Sequence, residues 1–238
     1  KGGECVCSKC IDIGFKQIDF YGEKIQRKIM IHFPLYNDVS NLFIGIQEGT
    51  YYKPYNPYKD VPPIYYYGSS ITQGGCASRP GNNYPAVISG KNNIDFVCLG
   101  FSGNALGEPE MAEYIANREM SVFVMDLDHN FSDVKMIRER HYPFYKIIRE
   151  KNPGLPIIMV TAPAPACSYW RFKERYEVIH ENYKRARAEG DDNLYFINGM
   201  RMMDGEYCDM ITVDGCHPND FGFYCMARGV LEVLNKII

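Results

Sequence analysis

The hydrophobic rhythm of the chain changes partway along it. From residue 64 onward, short and nearly uninterrupted apolar runs recur at Ile64–Tyr67, Ile94–Leu99, Val122–Leu127, Leu155–Thr161 and Leu194–Ile197. Runs of that length, apolar on consecutive positions, suit strands buried on both faces. Between them, Glu108–Arg118, Ser132–Lys151 and Phe172–Glu189 read as helices, and Asp220–Asn235 closes the chain as another. The Arg/Lys/Glu-rich helix over 172–189 is most simply a solvated face with i,i+4 pairs. Strands alternating with helices predict an α/β fold in three layers, a five-stranded parallel sheet with helices on both faces. In such a sheet the crossovers are right-handed and reactive groups collect at the C-terminal ends of the strands.

Residues 1–60 are patterned differently. Lys16–Phe20, Lys28–Phe33 and Leu42–Gln47 are β-rich runs separated by Gly22, Pro34 and Asn37-Asp38, which predicts a small antiparallel meander. A Pro/Tyr-rich connector, Tyr51 to Pro63, comes next and is suited to neither a helix nor a central strand. The expected organisation is therefore a β-rich module over 1–60 and an α/β domain over 61–238. The module reads as the remnant of a longer β module or as a segment packed on the α/β domain.

Composition narrows the function classes. The chain has 238 residues, 46% hydrophobic and 23% charged, which is ordinary for a globular protein and ample for a core. No stretch approaches the roughly 18 uninterrupted apolar residues of a membrane span. With 26 basic against 29 acidic residues, net −3, there is no electrostatic footprint for nucleic acid or for an anionic membrane. The nine Cys are odd in number and dispersed, so they read as reduced thiols rather than a disulfide framework, and they lean towards a cytoplasmic location. The first residue is Lys1, so a trimmed start is expected and a missing signal peptide says nothing about location. Cys5-x-Cys7-x-x-Cys10 lacks a fourth ligand nearby, and a thiol cluster is the simpler reading than zinc.

The strand ends carry the candidate chemistry. Gly68-Ser69-Ser70-Ile71-Thr72 comes after the first strand of the α/β domain, where a serine can be exposed with its backbone N–H aimed at an oxyanion. It lacks the second glycine of a G-x-S-x-G elbow. After the second strand, Gly100-Phe101-Ser102-Gly103-Asn104 offers the Gly103 N–H at a place where a side chain would obstruct approach. After the third, Asp126-Leu127-Asp128-His129-Asn130 supports two readings, a metal site on Asp126, Asp128 and His129, or an amide donor at Asn130. After the fifth comes Asp214-Gly215-Cys216-His217, in which Asp214 can accept from His217 Nδ1–H and leave Nε2 as a base. The plain alternative for Asp214 is a cap on the turn before the last helix.

Taken together, these four elements resemble the SGNH, or GDSL-type, hydrolase superfamily, whose blocks supply Ser, Gly, Asn and Asp-x-x-His in this order, each at a strand end. The resemblance covers residues 61–238 and implies a flavodoxin-like sheet with Ser70 as nucleophile, Asp214 and His217 completing a triad, and Ser70, Gly103 and Asn130 as oxyanion donors. Ser69 stands where the family usually has Asp, which makes Ser69 the rival nucleophile, and the third block departs from the usual Gly-x-Asn-Asp. The leading β segment is similar to the β-sandwich module of some carbohydrate-active members.

What the resemblance implies is a serine esterase acting on short acyl, chiefly acetyl, esters of carbohydrates through an acyl-enzyme, with no metal and no cofactor. The expected partner is a small acylated substrate, an O-acetylated sugar. Trp170, the sole Trp, lies after the fourth strand in Tyr169-Trp170-Arg171 and is a candidate for stacking on a sugar ring. Rival classes are a lipase- or thioesterase-type acylhydrolase, a metal-dependent hydrolase using Asp126, Asp128 and His129, and a non-catalytic sugar-binding protein on the same scaffold.

Overall fold

The computed structural model describes residues 25–164, 169–203 and 207–238. It divides the chain into two units, one ending at Asn56 and one spanning Pro57–Ile238.

The second unit is built on five parallel strands in the order β2-β1-β3-β4-β5. They are β1 (Ile64–Gly68), β2 (Phe96–Gly100), β3 (Val122–Asp126), β4 (Ile157–Val160) and β5 (Leu194–Ile197). The helices are α1 (Ser70–Gln73), α2 (Tyr84–Asn92), α3 (Pro109–Ala116), α4 (Val134–Lys151), α5 (Tyr169–Ala188), α6 (Gly199–Met202) and α7 (Asp220–Leu234). This is the flavodoxin-like order expected from the sequence. Its strand order reverses between β1 and β3, where open α/β sheets form their ligand crevice. The register there places Gly68 beside Asp126 on one side and beside Gly100 on the other.

The pleat divides the core into two layers. Tyr65, Tyr67, Phe123, Met125, Ile157, Met159 and Leu194 project to one face and pack with residues of α3, α4 and α5. Ile64, Tyr66, Val122, Val124, Ile158, Val160 and Ile197 project to the other and pack with residues of α1, α2, α6 and α7. Successive side chains of a strand alternate between faces, so apolar residues at consecutive positions are what a sheet covered on both sides needs. At the N-terminal edge of the sheet, a buried Arg149–Asp191 pair at 2.7 Å ties α4 to the loop before β5.

Two expectations need correction. The predicted strands Lys28–Phe33 and Leu42–Gln47 carry no β ladder in the structure. Their apolar side chains are exposed instead, Ile29 by 69% and Phe43 by 90%. The alternation marks β propensity, but a strand also needs a neighbour to satisfy its N–H and C=O groups, and none pairs with these runs among the described residues. The third predicted strand, Lys16–Phe20, and the Cys5, Cys7 and Cys10 cluster lie outside the described residues. The second correction is α2, which the hydrophobic pattern does not announce. Its start was nonetheless written in Asn83, whose side chain caps the Ala86 N–H, and in Pro85 within its first turn.

Candidate active site

β1 ends at Gly68, and the chain turns directly into α1. Ser69 is the N-cap of that short helix; its Oγ accepts from the Ile71 N–H at 3.1 Å and is buried. The cap commits Ser69 to the backbone and leaves Ser70 to project from the first helical position. Ser70 Oγ lies 2.9 Å from His217 Nε2. Of the two adjacent serines, the one brought to the histidine is therefore Ser70.

His217 is oriented by its own turn. Its Nδ1 lies 2.7 Å from Asp214 Oδ2, while Asp214 Oδ1 accepts the backbone N–H groups of Cys216 at 2.9 Å and His217 at 2.7 Å. Gly215 takes φ +80° at the centre of this turn, a conformation suited to glycine. The His217 side-chain bond, together with the backbone N–H bonds, holds the Asp214 carboxyl down at about 2. Asp214 thus also caps the turn before the last helix, while α7 itself is capped by Asn219, which accepts from the N–H groups of Phe221 and Gly222. The turn is pinned at its base by the Thr212–Pro218 bridge and the Val213 N–H to His217 C=O bond of 3.0 Å.

A second network fastens the two halves of the site together. Asp220, at the start of α7, accepts from the Ser78 N–H at 2.8 Å, from Ser78 Oγ at 2.5 Å and from Asn82 Nδ2 at 2.8 Å. It thereby ties the loop after α1 to the helix that comes after His217. Nothing in the local pattern around Ser78 or Asp220 marks this pairing, which spans 142 residues.

The loops after β2 and β3 complete the rim. The Phe101 N–H donates to Gly68 C=O at 2.8 Å, and the Ser102 N–H to Gln73 Oε1 at 3.2 Å, so the second loop lies against α1. Gly103 has φ +72°, and a Cβ built there would meet no protein atom within 4 Å. Its glycine is required by backbone conformation, and the space before it is open. Asn130 uses its carbonyl oxygen to accept the Ala105 N–H at 3.1 Å, which leaves its NH2 group as the donor end. Gly100 is there for room: a Cβ would strike the backbone of Gln73 at the end of α1.

The acidic residues of the third loop are not gathered as a metal site. Asp126 turns to the nucleophile side, where Oδ2 accepts from Thr72 Oγ1 at 2.7 Å and from the Tyr84 hydroxyl at 3.2 Å. Burial pushes its carboxyl up to about 7, against the pull of those two bonds. Asp128 turns elsewhere, accepting the Ala162 N–H at 2.8 Å and pairing with Arg175 at 3.5 Å. His129 packs edge-on against Phe172, with ring centroids 5.5 Å apart, and burial lowers its pKa. Among the described residues, no three His, Cys, Asp or Glu side chains converge as a ligand set.

Trp170 stands 76% exposed in an open groove between the first turns of α4 and α5, whose lining includes neither Ser70 nor His217. Cys76, exposed and at φ +72°, and the half-buried Cys216 are thiols, as are Cys98, Cys208 and Cys225. Among the described residues, no helix is long and apolar enough to cross a membrane.

A parallel 2-1-3-4-5 sheet with Ser70, Gly103, Asn130 and Asp214-x-x-His217 in the loops after its strands is the arrangement of the SGNH-type hydrolase fold. The chain belongs to the GDSL-like Lipase/Acylhydrolase family, whose sequence model matches residues 61–235. Among solved structures, it is similar to a protein of Bacteroides ovatus ATCC 8483 described as a GDSL-like lipase, with 37% identity and a TM-score of 0.69 over 78% of this chain and 55% of that one. It shares its fold with the salicylyl-acyltransferase SsfX3 of a tetracycline biosynthetic pathway, at 20% identity and TM-score 0.65, over 75% of this chain and 55% of that one. It also shares it with a two-domain esterase active on acetylated mannans and crystallised with mannopentaose, at 17% identity and TM-score 0.54, over 74% and 50%. The chain thus spans about half the length of each of these structures. No curated protein matched it.

Proposed function

We propose that this hydrolase cleaves short acyl esters, chiefly acetyl esters, of carbohydrates through a covalent intermediate on Ser70. The observation that carries the reading is the continuous relay from Ser70 Oγ to His217 Nε2 at 2.9 Å and from His217 Nδ1 to Asp214 at 2.7 Å. In this mechanism Ser70 Oγ attacks the ester carbonyl while His217 takes its proton, and the ionised Asp214 fixes the tautomer and stabilises the imidazolium. The tetrahedral oxyanion is held by the backbone N–H groups of Ser70 and Gly103 and by the Asn130 amide, each donor worth on the order of 3 kcal/mol of barrier. The imidazolium returns its proton to the leaving sugar oxygen. Water then attacks the acyl-enzyme with His217 as base, releasing the carboxylic acid and restoring Ser70.

Hydrolysis, rather than transfer to another alcohol, is supported by access to water: the side chains of His217 and Asp214 are 31% and 50% exposed. The carbohydrate assignment draws on the mannan-active esterase that shares the fold. The test is an activity panel of O-acetylated mono- and oligosaccharides against p-nitrophenyl esters of rising chain length. Turnover that falls steeply beyond the shortest acyl groups and is highest on acetylated sugars supports the reading. A rise with chain length points to a lipase-type acylhydrolase, and no turnover of any ester points to a binding protein.

A further inference from the structure

An exposed indole is an oddity that asks for a ligand. Trp170 is the sole Trp of the chain, and it stands 76% exposed on the first turn of α5. Beside it runs an open groove of about 620 Å³, lined by Asp133, Val134, Lys135, Trp170, Glu174 and Arg175. None of Ser70, Gly103, Asn130, Asp214 or His217 lines it.

The groove is nevertheless joined to the reactive end of the sheet. Arg175 donates to the backbone C=O of Asp128 and of Phe131, both at 2.8 Å, and so buttresses the two ends of the loop that carries Asn130. Arg175, which lines the groove, thus also touches the backbone on either side of Asn130.

The lining specifies the kind of ligand. Asp133, Glu174, Lys135 and Arg175 line the groove, and both cations already have carboxylate partners outside it, Lys135 with Glu139 at 3.8 Å and Arg175 with Asp128 at 3.5 Å, so the lining does not select an anion. Much of the polar capacity is already directed inward: Arg175 is held by the third loop, and Asp133 caps α4 through the Met136 N–H at 2.8 Å. What remains is a flat apolar face with hydrogen-bonding groups at its rim. A pyranose ring has the complementary construction, with C–H groups on one face and hydroxyls around the edge.

We infer that this groove is a subsite for a neutral sugar ring of a glycan chain, seated away from the ring that carries the scissile ester. The inference rests on the proposed action on acylated carbohydrate and extends it from single acylated sugars to chains. A chain bound at Trp170 would span the third loop and present a neighbouring acylated ring to Ser70. Binding energy gathered away from the ester then contributes to holding the reacting group in place.

The sole Trp makes the test direct, because tryptophan emission reports on this groove alone. The full chain is titrated with unacylated manno-, cello- and xylo-oligosaccharides of five or six units, and with the matching monosaccharides. The expected result is a saturable change in emission with at least one oligosaccharide series and a much weaker response to monosaccharides. By calorimetry, Trp170→Ala should weaken oligosaccharide affinity about tenfold or more, and Trp170→Phe, which keeps an aromatic face, should recover most of it. No saturable response up to the low-millimolar range overturns the inference. So does an affinity unchanged in Trp170→Ala, or a response to p-nitrophenol but to no sugar.

The titration needs neither an acyl group nor Ser70, which separates the two readings. Oligosaccharide binding by a protein that cleaves no ester retains the subsite and removes the esterase. Sugar-ester cleavage with a silent Trp170 does the reverse.

Discussion

Thr72 Oγ1 donates to Asp126 Oδ2 at 2.7 Å, and both residues are sealed from solvent. The bond fastens α1, which presents Ser70, to the end of β3. Asp126 Oδ1 has no hydrogen-bond partner among the described residues, and burial pushes the carboxyl up to about 7. In the unfolded chain an aspartate titrates near ~3.9. The folded protein therefore holds an extra proton between about pH 4 and pH 7, and stability falls as pH rises through that window. Asp126→Asn abolishes this titration. Thermal melts should show the variant gaining on the wild type as pH rises from about 4 to about 7, with the difference levelling off above. A difference that does not change with pH would contradict it.

The two glycines of the second loop should respond differently to substitution. Gly100→Ala drives a Cβ into the backbone of Gln73, so α1 must shift and Ser70 with it. Gly103→Ala meets open space and pays only for the left-handed backbone, about 1–2 kcal/mol. Both variants should melt earlier, but Gly100→Ala should lose far more of both stability and kcat. Equal effects would mean that the approach of α1 to β2 does not set the position of Ser70.

Asn130 offers a clean separation of its two ends. Asn130→Asp retains an acceptor for the Ala105 N–H and removes the NH2 donor. With an oxyanion role for that donor, kcat should fall about 10²–10³-fold with little change in KM. A variant with near-normal kcat would reduce Asn130 to a tether for the second loop.

Much of this arrangement was legible in the sequence, and the reasons differ by element. The strands of the α/β unit were readable because sheets covered on both faces demand unbroken apolar runs; β4 forms as a shorter strand within its predicted segment, and β2 starts two residues later and ends one residue beyond its own. Ser70, Asp214 and His217 were singled out by the resemblance of four ordered blocks rather than by any one turn, and the structure brings their side chains together. The partners of Asp126 and Asp128 were not. Thr72 and Tyr84 lie 54 and 42 residues from Asp126, and Ala162 lies 34 from Asp128, so only the packed sheet could reveal that these carboxylates are structural acceptors rather than a ligand pair. The strand ends at Asp126, so Asp128 is free to turn to Ala162 and Arg175 instead of sharing Asp126's surroundings. For Lys28–Phe33 the local signal was present, but among the described residues no strand pairs with it to turn propensity into structure.

Asp214 should matter through orientation rather than through its own titration. Its carboxyl, held down at about 2 by His217 and the turn N–H groups, stays ionised at any pH where the protein is assayed. Any acid limb of the rate profile above about pH 4 must then come from another group. Asp214→Asn leaves the turn's acceptor in place but cannot hold the same tautomer of His217, and kcat should drop by about 10⁴. An acid limb that moves with Asp214 substitution while kcat at its optimum is preserved would overturn this assignment.

Ser70 is where every other role converges, and a covalent probe reads it without knowledge of the substrate. The full chain is treated with a fluorophosphonate, digested, and the modified residue located by mass spectrometry, with Ser70→Ala and Ser69→Ala in parallel. The expected result is a single adduct on Ser70, retained in Ser69→Ala, absent in Ser70→Ala, and matched by loss of ester turnover in the latter. An adduct on Ser69, or ester turnover surviving in Ser70→Ala, would contradict the acyl-enzyme mechanism at its first step.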